Sequence, residues 1–341
     1  MATDVKALRQ LLLLGSAGHL SVFAAKAPKR IGILSERSAA LYKDGLPWEA
    51  PLWDAMAELG WIQGQNVVVE RALADMKSED LPRLSEELVR KRVDVILCLG
   101  DQEAMVAASR ATRTIPIIVF EVSDPVGQGL VESLARPGRN VTGISLGRGR
   151  ELAMKRLQYL RTIAPSAKRL CWLLGGPTTM SSRVDGSRYD VAASLATAAE
   201  QQLQFETRVF PVADAKQISE ALAYAVEWRA QALLAGGFPV YLARHDVVQF
   251  ALRHRWPSVY PVADFVHVGG LLSLSVADSE VALLTRRWAE YIDRVLRGAN
   301  PAELPVISAD RYELLVNTKT AEALDLKIPP SILLQADALV R

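Results

Sequence analysis

Strand ends are where an α/β chain keeps its chemistry, because side chains and free backbone N–H groups there project into open crevices. In this sequence Ser35 and Glu36 follow the apolar run RIGIL, Asp101 and Gln102 follow VILCLG, and Ser123 and Asp124 follow IIVFEV. A carboxylate in such a turn can accept a ligand ammonium, or it can cap the helix that begins there. Both readings are open for Asp124, which precedes Pro125, and for Asp101, which follows Gly100. Pro125 suits a first helical turn, where its missing N–H is no loss. Further on, Gly176 ends a glycine pair after RLCWLL, and Asp264 stands beside Phe265. Phe238, Tyr241 and Phe265 could flank a planar or apolar ligand, or simply pack in the core.

Catalytic constellations are thinner. Residues 143–147, GISLG, match G-x-S-x-G and lie between a strand pattern and a helix pattern, the setting of a nucleophile elbow. Ser145 would then be the nucleophile, His254 or His267 the base, and Asp246 or Asp264 the orienting acid. The same small residues suit a crossover between lobes, and a serine hydrolase stands as the alternative reading. The dinucleotide fingerprint is missing, since Gly147-Arg148-Gly149 lacks a third glycine. Four scattered histidines give no metal-ligand spacing, so neither metal nor cofactor is expected. The two cysteines, Cys98 and Cys171, sit in apolar runs and read as small buried hydrophobes.

These residues need elements to hold them. The 341 residues, half of them hydrophobic, make a length that suggests about two domains. Lys plus Arg number 40 against 38 for Asp plus Glu, a net charge of +2 without the basic excess of a nucleic-acid binder. Strands are expected at 30–34, 66–71, 93–99 and 115–120, alternating with helices at 51–59, around 81–88 and at 102–112. That order builds an open doubly wound parallel sheet. The pattern repeats with strands at 169–174, 205–210, 232–235, 259–260 and 270–274, and helices at 155–163, 191–202, 218–229 and 240–255. Val281, Leu284, Trp288, Tyr291 and Val295 keep helical spacing, stopped by Gly298. No low-complexity linker separates the halves, which suggests several short crossovers, a hinge and a cleft.

Several segments resemble the ABC-transporter substrate-binding proteins of the periplasmic-binding-protein class I fold. They are ELGWIQGQNVVVERALAD (58–75), LPRLSEELVRKRVDVILCLG (81–100), ATRTIPIIVFEVSDPVGQGLVESLARPGRNVTGIS (111–145) and LPVISADRYELLVNTKTAEALDLKIPPSILLQADALV (304–340). SDPVGQGLV…LARPGRNVTG is the most specific block. The resemblance implies two doubly wound parallel-sheet lobes that close on a small molecule, an ABC permease as partner, and no catalysis. Some relatives bind aromatic amino acids. The departures fall where the ligand should be. Asp101-Gln102 replaces a frequent Thr-Pro, Gly175-Gly176-Pro177 replaces Asn-Pro, and Ser273-Leu274-Ser275 replaces Ser-Tyr-Gly.

The expected layout is lobe 1 over 29–143 plus 275–306 and lobe 2 over 144–274 plus 307–341. The expected ligand set is Ser35, Glu36, Asp101, Gln102, Ser123, Asp124, Ser145, Gly176, Phe238, Tyr241, Asp264 and Phe265. Arg139 and Asn140 are expected to shape the turn into the first crossover. Residues 1–28 read as a signal or unstructured N-terminus: Lys6 and Arg9 precede an apolar run over 11–25, and 22–24 offer a cleavage position. No later stretch is apolar for the ~20 residues of a membrane helix. The expectation is a periplasmic or exported monomer that meets the membrane only through its permease. An intracellular ligand-sensing domain on the same fold would replace it if export fails.

Overall fold

Short apolar runs bounded by polar turns become the strands of two sheets. A computed structural model describes residues 27–37, 49–100, 102–122, 124–146, 149–176 and 180–341. The expected signal segment lies almost wholly outside the described residues. The first part of the chain forms β1 (Lys29–Ser35), α1 (Glu49–Glu58), β2 (Val67–Leu73), α2 (Leu81–Arg90), β3 (Val95–Leu99), α3 (Gln102–Ala111), β4 (Ile117–Phe120) and β5 (Val141–Ser145). Next come α4 (Gly149–Ile163), β6 (Arg169–Gly175), the small strands β7 (Met180–Ser182) and β8 (Arg188–Asp190), α5 (Val191–Leu203) and β9 (Glu206–Val212). They are followed by α6 (Ala215–Glu227), β10 (Ala232–Gly236), α7 (Phe238–Leu242), α8 (Arg244–Arg253), β11 (Ser258–Tyr260), α9 (Asp264–His267) and β12 (Leu272–Val276). The last part holds α10 (Asp278–Leu296), β13 (Ile307–Ser308), β14 (Tyr312–Asn317), α11 (Thr318–Ala323), α12 (Pro330–Leu333) and β15 (Ala338–Val340).

The fold is two parallel-sheet α/β lobes. One sheet has the order β13-β5-β4-β3-β1-β2 and is parallel throughout. The other has the order β15-β14-β12-β11-β10-β6-β9, with β12 and β14 antiparallel. Strand alternation divides the side chains between two faces. Ile31, Ile33, Val95 and Leu97 pack with α1 and α10, whereas Leu34, Ile96 and Cys98 pack with α2 and α3. In the second lobe Leu170 and Trp172 pack with α4 and α5, and Cys171 and Leu173 with α6 and α8. Both cysteines are free and buried, and burial pushes the Cys171 thiol up. They are packing residues, as their apolar contexts suggest.

Sheet membership sets the crossings. The expected boundaries at 143/144 and 274/275 fall inside β5 and β12, and 306/307 falls just before β13. The chain therefore passes between the sheets after Ser145, Val276 and Ser308. The helix expected over 240–255 is two, α7 and α8, because Ala243 leaves helical geometry at φ −93°, ψ 16°. The pair β7–β8 was not expected: MSSRVDGSRYD lacks apolar alternation, and only its Asp185-Gly186 dipeptide carries a hairpin signal. No described helix is long and apolar enough to cross a membrane.

α10 returns from the second sheet to seal the first. Its stripe of Leu284, Trp288, Tyr291, Ile292 and Val295 is buried, and the Trp288 ring lies 4.9 Å from that of Phe120 on β4. The Trp288 indole N–H is buried with no hydrogen-bond partner among the described residues. Trp288→Ala should lower stability by about 3–5 kcal/mol through the cavity it leaves. Trp288→Phe, which removes that unpaired donor, should cost distinctly less. Urea denaturation midpoints at unchanged slope check the order of the two.

Candidate functional site

Parallel strands in each sheet bring several polar turns together at their carboxyl ends. In the first lobe the turn after β1 is held internally. The Ser35 hydroxyl, buried, accepts the Arg37 backbone N–H at 3.1 Å, and the Glu36 carboxylate accepts the Ser78 hydroxyl. The Glu36 carbonyl accepts the Met76 N–H at 2.6 Å. Gly100, after β3, has φ +67°, and a Cβ there would lie 2.6 Å from Arg37 Nη2 and 2.8 Å from Glu121 Oε2. Glycine is thus what lets a guanidinium and a carboxylate flank the end of β3. Glu121 itself has φ +68°, a left-handed conformation that non-glycine residues seldom adopt and that tends to mark functional turns.

In the second lobe the turns after β6 and β10 touch backbone to backbone. A Cβ on Gly175 would lie 2.7 Å from the Gly237 carbonyl carbon, and Gly237 has φ +95°. The Gly176 N–H donates to the Val212 carbonyl at 2.8 Å. That close approach delivers Phe238 to the rim at the start of α7. The Arg37 guanidinium, itself buried, sits 4.5 Å from the Phe238 ring centroid, a cation–π contact that joins the two lobes across the rim. Behind Phe238, the Tyr241 hydroxyl donates to Asp264 Oδ2 at 2.6 Å, and the Arg244 guanidinium lies 4.6 Å from the Tyr241 ring. Burial, then the bond to Asp264, raises the Tyr241 phenol above its ordinary value.

The expected ligand residues sort by this geometry. Phe238, Tyr241, Asp264 and Gly176 lie at or just behind the second-lobe rim, and Ser35, Glu36 and half-buried Gln102 lie at the first-lobe strand ends. Asp101 and Ser123 lie outside the described residues. Phe265 is a correction: it is wholly buried and stacked on Tyr260 at 4.5 Å, so its ring is core rather than cleft wall. Asp124 Oδ1 accepts the Gly127 N–H at 2.9 Å and so caps its own turn. The residues after Pro125 form successive turns rather than the expected helix. The side-chain amide of Asn140 donates to the Ile115 and Thr112 carbonyls at 2.7 and 3.2 Å, the turn-shaping role expected of it.

Ser145 closes β5 and is buried, and its hydroxyl donates to the Val122 carbonyl at 2.7 Å. A nucleophile elbow instead presents its hydroxyl on an exposed, strained turn. His254 is exposed and stacked on Phe250 at 4.3 Å. Sequence reasoning did not single out Arg37 and Glu121, which the structure places at this candidate rim. A signal existed for both: Glu121 directly follows β4, and Arg37 is the second residue after β1. No group of His, Cys, Asp and Glu among the described residues could hold a metal ion.

The family model for ABC transporter substrate binding protein matches residues 46–340. The chain belongs to that family. This binding protein is 24% identical, over 80% of its own length and 75% of the relative's, to a tyrosine-binding protein of Clostridioides difficile (strain R20291). Its fold is similar to the ABC domain in complex with L-Trp from Streptococcus pneumonia, with TM-score 0.71 and 22% identity over 92% of this chain and 100% of that one. A conserved domain protein from Vibrio cholerae gives 0.72 at 21% identity, over 91% and 99%. The ligand-free, open structure of a substrate-binding protein with adhesive properties from Clostridium difficile gives 0.58 at 21% identity, over 92% and 99%.

The Tyr241–Asp264 pair has a pH signature. Because folding favours the neutral phenol, its contribution to stability is complete below the ordinary tyrosine value of 10.0 and is lost as the pH rises beyond it. Tyr241→Phe should flatten part of the alkaline loss of stability. Thermal midpoints of both proteins followed from neutral pH to above pH 10 check this.

Proposed function

We propose that the protein is the solute-binding component of an ABC importer, which captures an amino acid or a related aromatic metabolite between its lobes and closes on it by hinge motion. The observation that carries this reading is the rim itself: Arg37, which shares the end of β3 with Glu121, reaches across to the Phe238 ring of the other lobe, where the Tyr241–Asp264 pair lies on the same short stretch of chain ends. A cation, a carboxylate and an aromatic face are the complements of a zwitterion with a planar side chain. The ligands of the tyrosine-binding relative and of the L-Trp complex support that class. Export, a permease as docking partner and a monomeric state complete the proposal. The buried, backbone-bonded hydroxyl of Ser145 gives the hydrolase alternative no support.

The test is a thermal-shift and calorimetric panel with L-tryptophan, L-tyrosine and related aromatic acids, combined with small-angle scattering. One compound should raise the Tm, because it binds only the folded protein, and should reduce the radius of gyration. Phe238→Ala should weaken that compound by roughly the 0.5–1.5 kcal/mol of an aromatic contact beyond its buried area. Tight binding with no compaction would overturn hinge closure. Labelling of Ser145 by a fluorophosphonate would overturn the binding-protein reading, and none is expected.

A further inference from the structure

The pair β7–β8 sits in the chain between β6 and α5, both elements of the second lobe, yet its bonds run to the first. The Ser182 N–H donates to Glu103 Oε1 at 3.0 Å near the start of α3. The Val184 N–H donates to the Gln128 carbonyl at 3.0 Å. At the far end of α3, Arg110 donates from Nε to the Val184 carbonyl at 3.4 Å and from Nη2 to the Arg183 carbonyl. The hairpin thus lies along the length of α3. Val184 is buried in the first lobe's own apolar cluster, with Val106, Leu130 and Val131. Gly129, at φ +73°, lies beside it, with its Cβ position 3.9 Å from the Val184 Cβ.

The tip is built to hold this shape. The Ser187 N–H and hydroxyl both donate to Asp185 Oδ1, at 2.8 and 2.7 Å, and Gly186 supplies φ +94°. The second root is fixed as well, since Asp190 accepts the Ala193 N–H at 2.7 Å and caps α5. Rotation of the lobes about the three crossings therefore loads the Val184 seat and its main-chain bonds, since the tip and the second root are held.

We propose that this hairpin is a strap: it fastens the second lobe to the flank of α3 and limits how far the cleft opens without ligand. The strap rests on the closure reading above and adds to it a second attachment between the lobes besides the crossings. It makes the separation of the lobes depend on residues that touch neither ligand nor hinge. Val184, Glu103 and Arg110 are then positioning residues for binding.

Distance measurements between spin labels decide the matter. Glu86→Cys on α2 and Lys216→Cys on α6 place labels at exposed positions on the two lobes, and the native cysteines are buried out of reach. Without ligand, the double-labelled parent should give a narrow distribution. Val184→Asp should shift it to longer separations and broaden it, and Glu103→Ala with Arg110→Ala should do the same to a smaller extent. Hydrogen exchange at the Ser182 and Val184 amides should quicken in step. Circular dichroism confirms that each variant is folded, and the double variant decides if Val184→Asp is not. Unchanged distributions in the folded variants overturn the strap. If L-tryptophan or L-tyrosine still shortens the parent's distance in that case, the closure reading survives alone. Widening in the variants without shortening by either amino acid supports the strap and counts against those two ligands.

Discussion

The chain passes between its sheets three times, and the passages are bonded side by side. Ser308 on β13 pairs with Ser145 on β5, and the Ala309 N–H donates to the Ser145 carbonyl at 2.8 Å. The Ala277 N–H donates to the Arg311 carbonyl at 3.1 Å, and the Tyr312 hydroxyl reaches the Ala309 carbonyl at 2.9 Å. The Ser145 hydroxyl, turned to the Val122 carbonyl, secures the same place to the turn after β4. This small knot of main-chain bonds is the constraint on which the rest depends. It sets which strand ends face one another, and hence which side chains share the rim. It also explains why a serine in a motif that invites an enzymatic reading is structural: its oxygen and carbonyl hold the junction together.

Burial on both faces is what made most of the fold legible. A central parallel strand has no solvent face, so VILCL and IIVF read as continuous apolar runs, and both are buried throughout. The α10 stripe was equally plain, because a helix over a sheet must repeat its apolar residues at helical spacing. Elements that escaped lack such a signature. β13 is two residues long, and the β7–β8 hairpin takes its stability from another lobe rather than from an apolar face of its own.

The candidate rim was legible in position and less so in membership. Strand-end turns pointed to Ser35, Glu36, Gly176 and Phe238, all at or near the rim. They could not tell Phe238 from Phe265, since both follow strands and both are aromatic. What separates them is that Phe265 finds the face of Tyr260, and no spacing rule contains that pairing. Arg37 and Glu121 escaped for a related reason. Their shared place at the end of β3 depends on Gly100, whose missing side chain matters only once three strand ends are side by side.

If the rim takes a planar ligand as proposed, the contact between Arg37 and Phe238 makes the molecule its own internal competitor. Any planar ligand that takes the Phe238 face must first evict a guanidinium already there. Such a contact is worth about 0.5–2 kcal/mol according to its exposure, which lowers apparent affinity by roughly two- to thirty-fold relative to an empty rim. The same occupancy filters ligands. A compound that offers the ring a better partner, and the displaced cation a carboxylate, recovers what it breaks, whereas a merely greasy one does not. Under the proposed binding role, selectivity of this kind would come from a side chain that reaches across from the opposite lobe, not from the shape of the cleft wall.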